Sequence, residues 1–573
     1  MQVLSYITTY MHRKKRAHMR AVSINLITNF TDDVLERVLG GRCLEEEIYP
    51  TITRAPYKQY ALTLKDKKNE IYHSKPQITF VFFDASPYKH SEFLNKEHCD
   101  EVLADITSYA RTVGGSVVVS LFALPYQSAY GHFFSQDPLF AALSDFNAKL
   151  RALAERMPSI HVFDTAKVFH YIGEAHARDL RGHHAFDMPF STDFLSALSF
   201  EWLAYVRAVM GLSRKAVVLD LDNTLWGGVV GEDGPLGVKL GPEYPGVAYQ
   251  NFQRTLLSLW ERGIILAINS KNNEADVHEV FKKNPHMILK EEHFAAVRAN
   301  WDDKSTNILS IAQELNIGLD SMVFIDDSPL ERERMRLEVP HVLTPEWSFE
   351  PEQYTKELLS LNVFHQMSLT QEDKKKGLMY AQETKRKEVQ ASAKNIDDYI
   401  KKLQIKIQVK EGNHTDIARV AQLTQKTNQY NLTTKRYSEA DIHTKIKKGA
   451  LVATGEVSDI FGAYGVVIMA ICDIKKNEAT LDTFLMSCRV MGRGVEGAFF
   501  EHLVEELHRQ NIKTLHATFI STSKNKPALS FLPERGFKKT STKGSTQHYT
   551  LPIGPAVKKL TARKRKPILT ITS

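Results

Sequence analysis

The sequence predicts an α/β chain of three domains, and three observations carry that expectation. Short apolar runs alternate with helix-like stretches along most of the chain, the pattern of parallel strands joined by crossover helices. A chain of 573 residues is too long for one hydrophobic core. One apolar run, Ala216 to Leu219, stops at two aspartates, Asp220 and Asp222, within VVLDLDNTLWGGVVGEDG (217–234). Carboxylates so placed sit at the carboxyl edge of a sheet, where open α/β folds bind ligands. Two acidic groups this close repel each other unless a cation or proton intervenes, so the residues point to a metal site with a reactive carboxylate.

Composition narrows the class. With 43% apolar and 25% charged residues the chain reads as an ordinary globular protein. The net charge of +7 is diffuse, which indicates a mildly basic solvated surface and no nucleic-acid partner. Cys43, Cys99, Cys472 and Cys488 lie far apart with no CxxC pair, favouring reduced thiols over a disulfide framework or zinc site. No apolar run approaches the roughly 20 residues of a membrane-spanning helix. At the amino terminus Val3 to Met11 precedes the basic run His12–Arg16, the reverse of a secretory signal. The expectation is a cytoplasmic protein with no membrane partner.

Residues 1–212 read as an independent α/β domain. Ser23–Ile27, Ile78–Phe83, Ser116–Leu124 and Ile160–Phe163 are the strand-like runs, and Lys96–Val113, Asp137–Met157 and Thr192–Met210 the helix-like ones. Asn29, Asp84, Ser86, Asp164 and His183 fall at or near strand ends, where polar residues more often cap helices and make turns. There is no Gly-Asp-Ser block and no Asp-x-x-His ending. The layout, with Thr28-Asn29-Phe30-Thr31 after the first strand, resembles a degenerate SGNH-like domain. That resemblance implies docking or substrate positioning and no independent hydrolysis.

Residues 213–360 repeat the strand-end logic three times. A helix over Tyr249–Arg262, ended by Gly263, leads to the strand Ile264–Ile268 and then to Asn269-Ser270-Lys271-Asn272. Trp301-Asp302-Asp303-Lys304-Ser305 opens a helix to Leu315, and the strand Met322–Ile325 stops at Asp326-Asp327-Ser328-Pro329. A lysine in a helix is usually surface, and paired acids after a strand often cap. The full order of strand-DxDxT, strand-Ser, helix-Lys and strand-Asp-Asp resembles the haloacid dehalogenase (HAD) phosphatases. The resemblance implies Asp220 as nucleophile, Asp222 as acid and base, and Ser270 and Lys304 as phosphoryl holders. It also implies Mg²⁺ held by Asp220, Asp326, Asp327 and the main-chain carbonyl of Asp222. Hard oxygen donors around a phosphate suit that ion. Too few residues separate Asp222 from Ser270 for an ordinary cap domain, so the core has a minimal cap and an open site.

LDNTLWGGVVGEDG, NSKNN, NWDDKSTNI and FIDDSPLERE together are similar to the FkbH-like branch of the HAD proteins. What this implies is release of phosphate from a phosphorylated, glycerate-like small acid and passage of the acyl group to an acyl carrier protein or coenzyme A thiol. Relatives that use a cysteine in the aspartate loop differ from this chain, whose loop has none. Transfer would go through Cys488 or directly to the carrier's own thiol.

Residues 361–403 read as a charged helical linker, 404–552 as a further α/β domain, and 553–573 as a basic tail. Strand-like runs fall at Ile405–Val409, Ala450–Glu456, Gly465–Ile474, Thr480–Met486 and Leu515–Phe519. KTNQYNLTTKRYSEADI (426–442) reads as a substrate- or carrier-facing loop. Cys488-Arg489-Val490-Met491-Gly492-Arg493-Gly494 precedes a helix from Val495 to Gln510, an arrangement in which main-chain N–H groups can approach a pyrophosphate. With Asn525, Ala528, Phe531 and Gly536-Phe537 it resembles the GNAT acyltransferase fold. That implies Arg489, Gly492, Arg493, Gly494 and Asn525 as ligands of acetyl-CoA or phosphopantetheine, and Cys488 as an acyl-carrying thiol. The alternative function is a GNAT-type N-acyltransferase served by an accessory HAD phosphatase in a sugar or secondary-metabolite pathway.

Overall fold

The computed structural model describes residues 2–13, 19–85, 92–125, 127–369, 386, 389, 393, 395–412, 416–427, 429–522, 524–562 and 570–572. One unit comprises Met1–Gly211 with Arg436–Thr444, the other Leu212–Lys435 with Lys445–Ser573. Ser86, most of the charged linker and the basic cluster Arg563–Lys566 lie outside the described residues. Among the described residues no helix is long and apolar enough to cross a membrane.

The first unit holds a five-stranded parallel sheet. Its strands are β1 (Arg20–Thr28), β2 (Ile48–Arg54), β3 (Ile78–Phe82), β4 (Ser116–Leu121) and β5 (Ile160–Asp164), ordered β2-β1-β3-β4-β5. Period-2 alternation splits β3 between two buried faces. Val81 packs with Ile106, Phe146 and Leu150 of the Lys96–Val113 and Pro138–Arg156 helices. Phe80 stacks on Trp202 of the Thr192–Met210 helix, with ring centroids 4.3 Å apart. Asn95 and Ser191 cap two of these helices through side-chain acceptors, and Gly211 ends the last in the left-handed region. The edge strand β2 escapes sequence reading because Pro50 interrupts its run, which is also why it can only be an edge.

The second unit carries two sheets. The smaller is parallel throughout, with β6 (Ala216–Leu219), β7 (Ile265–Ser270), β8 (Phe294–Ala299) and β9 (Met322–Ile325) ordered β8-β7-β6-β9. Val217 and Leu219 face Phe252 and Leu256 of the Gly246–Glu261 helix. Ala216 and Val218 face Ile308 and Ile311 of the Lys304–Leu315 helix. Burial on both faces explains the unbroken apolar run before Asp220. Strand β8, FAAVRA, has little β-branched content and lies at the edge, so no period announced it.

The larger sheet is mostly antiparallel. It contains β10 (Lys406–Glu411), β11 (Tyr430–Asn431), β12 (Leu451–Asp459), β13 (Gly462–Lys475), β14 (Glu478–Met486), β15 (Thr514–Ile520), β16 (Lys538–Lys543), β17 (Thr546–Pro552) and β18 (Thr570–Thr572). The order is β16-β17-β15-β14-β13-β12-β10-β18, with β11 on the side of β14. β14 and β15 are parallel as far as Leu481 and Ala517, and then part. The gap is filled by the chain itself. Tyr430 and Asn431 pair with Met486 and Leu485, the Leu432 N–H donates to the Phe484 carbonyl at 3.2 Å, and the Ile520 N–H donates to the Leu432 carbonyl at 2.9 Å.

Trp202 is fully buried where it stacks on Phe80. Trp202→Ala is expected to cost about 3–5 kcal/mol, read as a lower denaturant midpoint in urea unfolding.

Candidate active site

Three strand ends of the smaller sheet converge. Parallel pairing of β6 with both β7 and β9 brings Asp220, Ser270 and Asp326 to one carboxyl edge. The Asp220 N–H donates to the Ile325 carbonyl at 3.0 Å, tying the two aspartate-bearing ends together. Lys304 enters from the first residue of its helix, whose start is held by Asn269 Nδ2 donating to the Lys304 carbonyl at 2.8 Å.

The lysine is the electrostatic hub. Its Nζ lies 3.0 Å from Asp220 Oδ1 and donates to Asp326 Oδ2 at 2.6 Å, while only 4% of the residue is exposed. Burial alone would push the ammonium down, but Asp220 and Asp326 hold it above its ordinary value, so it stays charged. Burial and the charge of Asp220 push the Asp326 carboxyl up. The same causes, burial first, raise Asp327 to about 6.

Asp220, Asp326 and Asp327 each offer a carboxylate oxygen, all within 4.8 Å of one another. Asp220 Oδ1 is buried and receives no well-angled hydrogen bond. Three hard oxygen donors within reach of one another, one of them held only by the Lys304 ammonium, fit a divalent cation of the Mg²⁺ or Ca²⁺ class. The side chain of Asp222 stands outside this trio. Its Oδ1 accepts from Trp226 Nε1 at 2.8 Å and from the Val230 N–H at 3.1 Å, and its Oδ2 from Asn272 Nδ2 at 3.0 Å. Burial nevertheless raises the Asp222 carboxyl, with those three donors pulling it back.

Several supporting residues carry no sequence signal. Asn272 Nδ2 also donates to Ser270 Oγ at 3.0 Å, coupling the second aspartate to the serine. Asn223 takes a left-handed φ of 55°, and Tyr354 donates its hydroxyl to the Asn223 carbonyl at 2.8 Å. Arg332, one of several charges on the Pro329–Glu338 helix, reads as surface but is 3% exposed and donates to the carbonyls of Asp326 and Asp327. Only the NSKNN block hinted at Asn272; the others depend on chain folding.

The expected ligand-binding set in the larger sheet is not gathered as one exposed surface. Gly492 and Gly494 have φ of 74° and 73° at the start of the Val495–Arg509 helix, and space around Gly492 is open. Arg493, however, is buried and donates to the Tyr464 hydroxyl. Asn525 is fully buried, with Nδ2 donating to the carbonyls of Asn431 and Ile520 and Oδ1 accepting from the Thr522 N–H. Asn525 thereby anchors the 430–433 segment, part of the expected loop, within the sheet. Cys488 is half-buried, and its carbonyl accepts from Asn316 Nδ2 at 3.3 Å. It lines a cavity with Lys215 and Ile265, which stand at the amino ends of β6 and β7. The length of β6, about 16 Å from Lys215 to Asp220, therefore separates it from the carboxylate centre.

In the first unit Asn29, Asp84 and His183 come together and Asp164 does not join them. Asn29 bonds both the carbonyl and the N–H of Asp84, Arg178 pairs with Asp84 Oδ1 at 2.9 Å, and His183 Nδ1 lies 3.7 Å from Asp84 Oδ2. Asp164 accepts from the Ala166 N–H, a turn role.

No family model matches the chain and no curated protein matches it. Among solved structures it is similar to the N-terminal part of a Bacteroides fragilis protein, containing a phosphatase domain complexed with Mg. The identity is 28%, over 63% of this chain and 98% of that one, with a TM-score of 0.59. The ribosomal-protein-S18-alanine N-acetyltransferase of Escherichia coli (18% identity, 26% of this chain, 94% of that one) and Ard1 of Thermoplasma volcanium (20%, 26%, 97%) each score 0.21. At that score neither acetyltransferase bears on function. The phosphatase likeness, with the intact carboxylate, lysine and serine set, makes the chain an enzyme with a phosphatase-type centre.

Raised carboxyls bind protons more tightly in the folded than in the unfolded chain. Their stabilising contribution is therefore present at low pH and lost as pH rises through about 6, the Asp327 value. A divalent cation replaces the proton. Mg²⁺ at a hundredfold excess over its Kd should stabilise by about 2.7 kcal/mol at pH 8 and far less at pH 5, measured by thermal melts against EDTA. Equal shifts at both pH values would count against the trio as the cation site.

Proposed function

We propose that this chain is a Mg²⁺-dependent phosphoryl-transfer enzyme acting through an aspartyl-phosphate on Asp220. The observation that carries the reading is the buried Lys304 ammonium between Asp220 and Asp326, beside an Asp222 whose carboxyl is raised. A lysine there lets an anionic nucleophile meet an anionic phosphate. The Asp220 carboxylate attacks phosphorus as the bond to the leaving oxygen breaks, and protonated Asp222 gives that oxygen its proton. Asp222, now a carboxylate, takes a proton from the water that attacks the aspartyl-phosphate, and inorganic phosphate leaves. Ser270 and Lys304 hold the non-bridging oxygens. Asp220, Asp326, Asp327 and the Asp222 carbonyl would hold Mg²⁺, which would supply positive charge against the phosphate.

In its finer form the donor is the acyl phosphate of a glycerate-like acid: the thiolate of an acyl carrier protein or coenzyme A attacks the carbonyl carbon, the C–O bond to phosphate breaks and inorganic phosphate leaves, with Asp220 holding the phosphate-binding cation in this step and not attacking phosphorus. The FkbH-like sequence blocks support this, as does the lack of any inserted domain over the 220–270 segment. Because Cys488 stands at the other edge of the sheet, direct attack by the incoming thiol is the preferred route. The SGNH-like first domain serves docking or positioning. The alternative N-acyltransferase reading is weaker, since Arg493 and Asn525 are engaged in internal bonds.

Phosphate release from phosphoglycerates or an aryl phosphate tests the core. Asp220→Asn should abolish it, and Asp222→Asn should lower kcat by about 10²–10⁴-fold. Full activity in Asp220→Asn would sink the nucleophile assignment. Asn272→Ala removes a donor to the Asp222 carboxylate, which favours the protonated acid. The alkaline limb of kcat/KM should therefore move to higher pH. For the finer form, mass spectrometry should find a glyceryl adduct on a carrier thiol only with intact Asp220. Acetyl-CoA turnover on an amine would favour the alternative.

A further inference from the structure

The loop that delivers Lys304 to the carboxylates also carries an exposed tryptophan. Ser270, at the carboxyl end of β7, pairs with Ala299 of β8, and the Asn300 N–H still donates to the Ser270 carbonyl at 3.1 Å. Trp301 comes next in the chain, ahead of Asp302, Asp303 and Lys304. Two residues past a strand neighbour about 4.8 Å away, its main chain lies within roughly 12 Å of Ser270, at the rim of the same site.

The side chain is both exposed and held. Trp301 is 71% exposed, whereas Trp202, Trp226 and Trp347 are buried. Its indole Nε1 donates to Asn273 Oδ1 at 3.1 Å, and Asn273 is itself fixed by Nδ2 donating to Asp276 Oδ2 at 3.0 Å. Asn273 stands at the N-cap position of the Glu274–Lys283 helix, where an asparagine oxygen ordinarily accepts from a first-turn N–H. It makes no such bond here. A helix end thus goes without its side-chain cap while the capping oxygen fixes the edge of a ring whose face is left to solvent. The surroundings favour an apolar visitor over a second anion. Lys271 is engaged by Glu331 at 2.7 Å and Arg334 by Asp303 at 2.5 Å, and Asp302 beside the ring is an exposed carboxylate.

We propose that Trp301 is a specificity-determining residue of the Asp220 centre, and that its indole face receives a flat or apolar leaving group of the phosphorylated substrate. The inference rests on the phosphoryl-transfer reading above and not on its glyceryl form. A flat group stacked on the indole removes apolar surface of both from water. Because Asn273 already fixes the ring, little side-chain freedom remains to be lost on binding. With no domain inserted over the 220–270 segment, this ring is the aromatic surface that the Lys304 loop offers to whatever extends beyond the phosphate.

Two readouts on the full chain test this. With Mg²⁺ present, kcat/KM for p-nitrophenyl phosphate is compared with that for acetyl phosphate. Trp301→Ala should lower the first by about fivefold, mostly through KM, and leave the second within about twofold. Trp301→Phe should restore most of the loss, and both variants should melt as the unaltered chain does, since the side chain is exposed. The other readout needs no turnover. Phenylphosphonate, which has no ester bond to break, should saturably shield tryptophan fluorescence from acrylamide quenching. Methylphosphonate at equal concentration should not, and Trp301→Ala should abolish the shielding. Equal losses on both phosphates, equal shielding by both phosphonates, or no shielding at millimolar phenylphosphonate would overturn the proposal. Shielding by pantetheine alone would assign the ring to an incoming thiol arm and overturn it too. Failure of the unaltered chain to release phosphate from either compound would instead sink the phosphoryl-transfer reading on which the inference rests.

Discussion

A single buried ammonium governs the central domain. Lys304 sits between Asp220 and Asp326, and removing it would leave three carboxylates crowded at the edge of one parallel sheet. Breaking a buried pair of this kind costs about 3–5 kcal/mol, because the remaining charges have no water to turn to. The arrangement is therefore expensive to keep for stability alone. In the proposed function its compensation is chemical: Lys304 offers positive charge to a phosphate beside the Asp220 carboxylate.

The rest of the sheet can be read as what holds that ammonium and those carboxylates in register. Burial of β6 on both faces stops the strand from sliding, and hydrogen bonds from the Asp220 N–H and from Arg332 lock its neighbour β9 at the aspartate pair. Asn272 joins Asp222 to Ser270, so the two groups that would meet the substrate from different strands share one donor. Asp222 is separated from the trio of Asp220, Asp326 and Asp327, the candidate cation site, by direction and not by distance along the chain. Two residues after Asp220, its carboxylate turns to Trp226, Val230 and Asn272, in surroundings that favour a proton over a cation.

The larger sheet follows a different logic. Residues whose types suggested ligand contact, Arg493 and Asn525, serve the fold: one is packed on Tyr464 and the other pins the 430–433 segment. A glycine-bearing turn before a helix is compatible with anion binding, but the side chains beside it can be drawn inward by any buried partner. Arg489 and Cys488 are the members of that set that line the cavity at the end of β14.

By itself the sequence determined the elements whose burial is two-sided or whose ends are marked. Strand β6, the Lys96–Val113 and Thr192–Met210 helices, and the strand-end positions of Asp220, Ser270 and Asp326 were all legible, because an apolar run broken by a polar residue is a local signal. Edge strands such as β2 and β8 were not, since one unpaired side tolerates proline, alanine and charge. Tertiary structure alone decided which polar residues do chemistry and which hold the frame. Arg332 and Asn525 look like surface residues until folding removes water from around them, and Lys304 becomes more than a helix lysine only when two distant strands close on it. Charge and hydrogen-bonding capacity belong to the residue, but the dielectric and the partners that give them meaning come from the packing.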